Sequence, residues 1–171
     1  RLVVLNRTDL ADPDKTNKWM RILHSSQVEV IETDCKSGKG TKAFSGAIKE
    51  LLREKIEYYA ARGQQGRKIR VMVIGIPNVG KSSFINRVAG KRVAAASDRP
   101  GVTRGKQWIS LENGIELLDT PGLLWPKFDD RTVGENLAFT GAVKDDILDV
   151  ETLGARLMEK LRDMYPENIQ K

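Results

Sequence analysis

The stretch Gly75-Ile76-Pro77-Asn78-Val79-Gly80-Lys81-Ser82-Ser83 limits the folds open to this chain more than any other. It has the spacing Gly-x-x-x-x-Gly-Lys-Ser, and its setting agrees with that motif. Ile69-Arg70-Val71-Met72-Val73-Ile74 ahead of it suits a buried strand, and residues 83–88 behind it can start a helix. Glycines at the loop ends let successive backbone N–H groups turn inward around a phosphate chain without Cβ clashes. A helix N-terminus adds partial positive charge at the same point. Lys81 would then reach the terminal phosphates, and the Ser82 hydroxyl would ligate Mg²⁺. The bland alternative, a glycine-rich turn between strand and helix, leaves Lys-Ser in register unexplained.

At 171 residues the chain can bury a real core. With 30% charged and 40% hydrophobic residues it belongs with globular rather than disordered chains. No apolar run approaches a membrane span, and nothing resembles a signal peptide. A lone Cys35 cannot form an internal disulfide, which suits a reducing compartment, so a cytoplasmic location is expected. The net charge of +6 and pI near 9.5 favour a polyanionic partner, nucleic acid first. The chain opens inside an apolar strand at Arg1-Leu2-Val3-Val4-Leu5 without an initiator Met, so residues upstream are expected.

In chain order, residues 2–5 suit a fully buried parallel strand, with Asn6-Arg7-Thr8-Asp9 at its carboxyl end. Asp12-Pro13 starts a helix to about His24, with an apolar side of Trp19, Ile22 and Leu23. Residues 27–31 form a second strand, followed by a polar loop from Thr33 to Gly40. Thr41 caps one long helix to about Arg62, with Phe44, Ile48, Leu51, Leu52, Ile56 and Tyr59 facing a core. Residues 63–68 are an exposed linker. After the phosphate loop, residues 89–105 lack periodicity. Residues 106–111 and 115–119 form two strands joined at Glu112-Asn113-Gly114, an Asn-Gly turn signal. Residues 123–141 hold at most a short helix. Val150, Leu153, Leu157, Leu161 and Met164 space one amphipathic helix, which Tyr165-Pro166 ends.

Four loops at strand ends carry nucleotide chemistry. Asp119-x-x-Gly122 offers a carboxylate for Mg²⁺ and an N–H for a γ-phosphate. Thr103 can supply a hydroxyl to Mg²⁺ and a backbone group to the same phosphate end. In Asn6-x-x-Asp9 the carboxylate can accept from guanine N1–H and the 2-amino group together. Adenine has neither donor and would leave a buried carboxylate unpaired. The same residues also suit an Asx turn opening the next helix. Thr33-Asp34-Cys35 can close over the base edge with backbone N–H groups.

These motifs resemble those of translation-factor-type GTPases in rearranged order, with Asn6-Arg7-Thr8-Asp9 ahead of the phosphate loop. The set Gly75-Ile76-Pro77-Asn78-Val79-Gly80-Lys81-Ser82, Pro100-Gly101-Val102-Thr103 and Asp119-Thr120-Pro121-Gly122-Leu123 is similar to the circularly permuted YlqF/RbgA ribosome-assembly branch. The resemblance covers about residues 2–141 and implies a doubly wound, mostly parallel α/β sheet with the P-loop GTPase fold. It makes 1–141 the permuted GTPase domain and 142–171 a helical linker or the start of a C-terminal domain. The family's strand and helix before the base-side loop are absent here, so a sheet strand is expected to be missing. The family usually has Lys where Arg7 stands, and Arg can still lie over a purine face.

The resemblance implies a GTP-binding and GTP-hydrolysing switch in large-subunit assembly, using GTP/GDP and Mg²⁺, with the precursor subunit and its rRNA as partners and a monomeric chain. Leu123 stands where Ras-like enzymes carry a water-orienting Gln, so intrinsic hydrolysis should be slow. Asn78 matches a position that in similar GTPases helps hold K⁺, which can replace an arginine finger; it can equally hydrogen-bond its own loop. Arg87, Lys91, Arg92, Arg99, Arg104 and Lys106 cluster about the 89–105 loop as rRNA contacts or as a solvated face. Trp108 and Trp125 are expected to pack on the sheet, and His24 to lie at a helix-end surface. The alternatives are a P-loop ATPase and a non-enzymatic, nucleotide-responsive RNA-binding module.

Overall fold

The computed structural model describes residues 1–94, 107–112, 114–124, 130–143 and 149–169. Its first strand pair is parallel. β1 (Leu2–Asn6) runs beside β2 (Glu29–Thr33), with Leu2 opposite Glu29 and Asn6 opposite Thr33. Helix α1 (Pro13–Leu23) makes the crossover. The Asp12 carboxylate accepts from the N–H groups of Asp14 and Lys15 at 2.9 and 3.0 Å, and Pro13 takes a position where an N–H would go unused. Helices α2 (Ala43–Leu51) and α3 (Arg53–Ala60) follow, and then β3 (Ile69–Val73), which leads through the phosphate loop into α4 (Lys81–Ala89).

A hairpin completes the second sheet. β4 (Gln107–Ser110) lies antiparallel to β5 (Ile115–Asp119), which is also parallel to β3, giving the order β3-β5-β4. Gly114 closes the hairpin at φ +81°, a backbone that side chains resist, and the Leu111 N–H donates to the Ile115 carbonyl. Asn113, its turn partner, lies outside the described residues. Helices α5 (Arg131–Phe139), α6 (Val150–Met164) and α7 (Pro166–Ile169) end the chain, with Asp130 and Asp149 capping α5 and α6. Among the described residues no helix is long and apolar enough to cross a membrane.

One core joins the two sheets. Ile31 of β2, Phe44 and Ile48 of α2, Phe84 and Ile85 of α4, and Ile109, Ile115 and Leu117 of the hairpin form a single buried cluster. Phe44 meets Phe84 edge-on at 5.2 Å, a geometry worth about 0.5–1.5 kcal/mol beyond area burial. Between the sheets, the open edges of β1 and β3 flank a groove of ≈ 700 Å³, lined by Leu2, Val3 and Val4 on one side and Val71, Met72 and Val73 on the other.

Several expectations need correction. The helix expected from Thr41 to Arg62 is two helices, broken at Leu52 (φ −111°, ψ 9°). Thr41 does not cap it: its hydroxyl donates back to the Gly38 carbonyl, and Lys42 precedes α2 without a side-chain cap. β1 is half-buried along its length rather than fully buried, because among the described residues it has a partner on one edge only. Trp19 and Ile22 of α1 are exposed, as is Ile56 of α3. Trp108 is exposed too, since β4 borders the sheet. Trp125 lies outside the described residues.

Candidate nucleotide site

The loop after β3 bends back on itself with Asn78 at φ +55° and Gly80 at φ +94°. Gly80 is required twice. Its backbone is left-handed, and a Cβ there would stand 2.3 Å from Nδ2 of Asn6. Lys81 opens α4 and folds its ammonium back across the loop, donating to the carbonyls of Ile76 (2.8 Å) and Gly75 (3.1 Å). Burial lowers its pKa, against the opposing pull of the Asp119 charge.

β5 delivers Asp119 beside this lysine and beside Ser82. Asp119 is 1% exposed; its Oδ2 accepts from the Ser82 hydroxyl at 3.4 Å, while Oδ1 has no hydrogen-bond partner among the described residues. Burial raises its pKa, more than the Ser82 bond and Lys81 lower it. A buried carboxylate oxygen without a partner, next to a hydroxyl, is the donor set a hard divalent cation uses. The segment after β5 then closes on the loop. The Thr120 hydroxyl donates to the Val73 carbonyl, the Leu123 N–H to the Gly75 carbonyl, and a Cβ on Gly122 would stand 2.8 Å from Pro77. The Leu123 side chain is 65% exposed.

From the other sheet, Asn6 reaches the same loop. Its Nδ2 donates to the Val79 carbonyl at 2.9 Å, and its Oδ1 accepts from the buried Thr33 hydroxyl at 3.1 Å. Asn6 and Lys81 line the same groove. Arg7 is left-handed at φ +63°, and the Thr8 N–H donates to the Thr33 carbonyl, so the base-side loop is shaped by the end of β2. Asp9 is exposed beyond that turn and is not among the groove residues.

Asp34 differs from its expected use. Its N–H is spent on the Lys39 carbonyl, and its carboxylate accepts from the N–H groups of Lys36 and Ser37. Bonds from Ser37, its side chain foremost, and from Lys36 hold that carboxyl below its usual range. Cys35 is half-buried, and burial pushes its thiol up. The Asn78 amide donates to the Gly141 carbonyl after α5, so it does not simply bond its own loop. Ser83 is exposed on the first turn of α4. Thr103, Arg99, Arg104 and Lys106 lie outside the described residues; Lys91 and Arg92 are exposed.

Two residues have roles the sequence reading did not assign. Arg87 of α4, expected as an rRNA contact or part of a solvated face, instead donates from Nε to the Cys35 carbonyl at 3.1 Å and from Nη2 to that of Lys36, strapping the base-side loop to the phosphate helix across 52 positions of chain. Asn86 accepts from the N–H groups of Val93 and Ala94, fixing the start of the 89–105 segment. Neither has a local pattern beyond its residue type.

A Lys-Ser phosphate loop between strand and helix, with Asp119 at the end of the neighbouring parallel strand and Asn6 entering from ahead of it in the chain, defines a P-loop GTPase fold with permuted motif order. Residues 70–165 match the family model described as 50S ribosome-binding GTPase. The ribosome biogenesis GTPase A of Priestia megaterium is 47% identical over 171 residues, covering 99% of this chain and 59% of that protein. Its namesake from Bacillus cereus is 44% identical, covering 99% and 57%. Among solved structures, GNP-bound YlqF from T. maritima superposes with a TM-score of 0.62 at 28% identity, covering 95% of this chain and 58% of that one. The chain belongs to the ribosome biogenesis GTPase A (YlqF/RbgA) family. It spans a little under three fifths of the length of these two curated relatives.

Proposed function

We propose that this chain is the nucleotide-responsive part of a GTP-binding, GTP-hydrolysing switch acting in assembly of the large ribosomal subunit, with the precursor subunit and its rRNA as partners. The observation that carries this reading is the contact of Asn6 with Val79 and Gly80 beside the Asp119–Ser82 pair. It sets a base-side loop and a phosphate loop against one another. The loop N–H groups from Asn78 to Ser83 and the Lys81 ammonium would hold the phosphates. Ser82 and Asp119 would hold Mg²⁺, with Thr103 completing the set; the cation would offset charge on the terminal phosphate oxygens. Asn6 would fix the base-side loop, Arg7 would cover the purine face, and Asp9 and the Cys35 peptide would read the guanine edge. Asp34 would shape that loop rather than touch the base. Gly122 and Thr103 would sense the γ-phosphate.

Leu123, exposed and apolar, cannot orient water, so turnover by the chain alone should be slow and rise when the partner binds. As a K⁺ ligand Asn78 would offer its Oδ1, the amide atom other than the Nδ2 that donates to Gly141. Residues 142–171 would lead toward a C-terminal domain. On this reading the chain acts as a monomer in the cytoplasm.

The test is fluorescent GTP and GDP binding with turnover. Lys81→Ala should weaken triphosphate affinity by about a hundredfold or more, a loss of about 2.7 kcal/mol. Asp9→Asn should remove the preference for GTP over ATP. Unchanged affinity in Lys81→Ala rules out the phosphate site. Equal GTP and ATP affinity in the parent would point to a P-loop ATPase. Large subunits should raise turnover, and no rise would favour a non-enzymatic RNA-binding module.

A further inference from the structure

At the opposite end of β3 from the phosphate loop, about 15 Å away along five strand residues, lies a second concavity. It holds ≈ 680 Å³ between the end of α3, the 61–68 connection and the start of β3, with Lys55, Tyr59, Arg67, Lys68 and Arg70 in its lining. Cations rest on rings in it and next to it; Tyr59, Arg67 and Arg70 line it, and Tyr58, Arg62 and Trp108 lie outside its lining. The Arg62 guanidinium lies 3.6 Å from the centre of the Tyr58 ring, Arg67 lies 4.1 Å from Tyr59, and Arg70 lies 5.3 Å from Trp108. Tyr58 and Tyr59 meet edge-on at 5.5 Å. Tyr58 is 53% and Trp108 52% exposed, so two large rings face water amid charge.

The charge is concentrated here. Residues 53–70 hold six cations against two carboxylates, a net +4 of the chain's +6. Glu116 takes part of it, pairing with Lys68 at 2.7 Å and Arg70 at 3.2 Å. Arg67 instead bonds the neutral Gln64, and Arg62 rests on its ring. A solvated face would scatter such charges. Planar guanidiniums laid over exposed rings form platforms on which flat, polyanion-borne bases stack. A duplex keeps its bases stacked inside and offers phosphates only.

We propose that this hollow, with the α3 face beside it that carries Tyr58 and Arg62, is a second binding surface, for an unpaired stretch of RNA whose phosphates meet Arg62, Arg67 and Lys55 and whose bases stack on Tyr58. The choice of RNA rests on the ribosome-assembly reading above; the surface rests on its own geometry. It lies at the rim away from the nucleotide, so RNA and nucleotide can be held together.

The test uses the GDP-loaded chain and a labelled oligouridylate of about twelve nucleotides, followed by anisotropy from about 50 mM to about 300 mM salt. Matching oligothymidylate, RNA duplex and polyglutamate serve as separate arms. The parent should bind oligouridylate with an affinity that falls with salt, and bind duplex and polyglutamate more weakly. Arg62→Glu with Arg67→Glu should weaken binding at least about tenfold, Tyr58→Ala about tenfold, and Tyr58→Phe little. Fluorescent GDP affinity should stay unchanged in all three, showing an intact fold. Variants that bind oligouridylate like the parent would overturn the surface, as would polyglutamate or duplex binding as tight as the single strand. Thymidylate binding tighter than uridylate would overturn the choice of RNA. GDP binding and subunit-stimulated turnover that survive such a result leave the switch reading standing; a parent that binds no guanine nucleotide sinks that reading separately.

Discussion

β1 and β5 differ less in sequence than in fate. β1 reads Leu-Val-Val-Leu-Asn, and β5 reads Ile-Glu-Leu-Leu-Asp, with a charge in its middle. Yet Ile115 and Leu117 of β5 are fully buried, while every residue of β1 is only half-buried. β5 has strands on both sides, β3 and β4; β1 has β2 alone among the described residues. Burial is set by neighbours, and an apolar run states only a capacity for it. The fully enclosed strand therefore sits in the hairpin sheet, and the base-side sheet joins it through the shared core of Ile31, Phe44, Ile48 and Phe84 and through polar cross-links: Asn6 on Val79, and Arg87 on Cys35 and Lys36.

The largest test of this difference is truncation on each strand. Leu117→Ala should cost about 3–4 kcal/mol, since it opens a cavity in a fully enclosed site. Val3→Ala in half-buried β1 should cost about 1 kcal/mol or less. Urea denaturation compares them directly, and equal losses would erase the contrast between the sheets.

This contrast also explains what could be read from residues alone. The phosphate loop and its flanking strand and helix were legible because their signal is local and the geometry needs those residue types. A parallel strand at residues 2–5, the helix start at Asp12-Pro13 and the hairpin turn at Gly114 were read from local chemistry as well. What failed was long-range. Full burial of β1 presumed neighbours. Trp19 and Ile22 form an apolar side on α1 that nothing described covers. The break at Leu52 has no Gly or Pro to announce it, and both halves share one helical spacing. At the site, Asp34 carried no mark that its carboxylate would close its own loop, and Arg87 bonds a loop far off in the chain.

The cross-links can be weighed by comparing two glycines. Gly80→Ala meets both a left-handed φ and the Asn6 side chain at 2.3 Å. Gly63→Ala meets a left-handed φ of +74° with nothing within 4 Å. The second should cost about 1–2 kcal/mol, the conformational term alone. The first should cost more, and should also speed hydrogen exchange at Asn6 and Thr33, because it displaces the side chain joining the sheets. Arg87→Ala should likewise speed exchange in residues 35–39 and leave β5 protected. Equal exchange in the two glycine variants would mean that Asn6 does not fasten the sheets.

The smallest effect is the one that separates the two sheets by sign. Asp34 and Asp119 both sit at the ends of parallel strands, 8% and 1% exposed. Hydrogen bonds, led by the Ser37 side chain, lower the first carboxyl; burial raises the second despite Ser82 and Lys81. For Asp34 the unfolded chain binds the proton more readily. Its stabilisation is complete above the unfolded value of 3.8 and is lost as pH falls through the lower folded one. For Asp119 the folded chain binds the proton more readily, so ionisation costs stability as pH rises from 3.8 through its raised value. In metal-free urea titrations, Asp34→Asn should lie below the parent at neutral pH and converge with it on acidification. Asp119→Asn should lie above the parent at neutral pH and converge from the other side. Were both to fall below the parent at neutral pH, Asp119 would have a partner that offsets its burial, and its unspent oxygen would no longer argue for a cation.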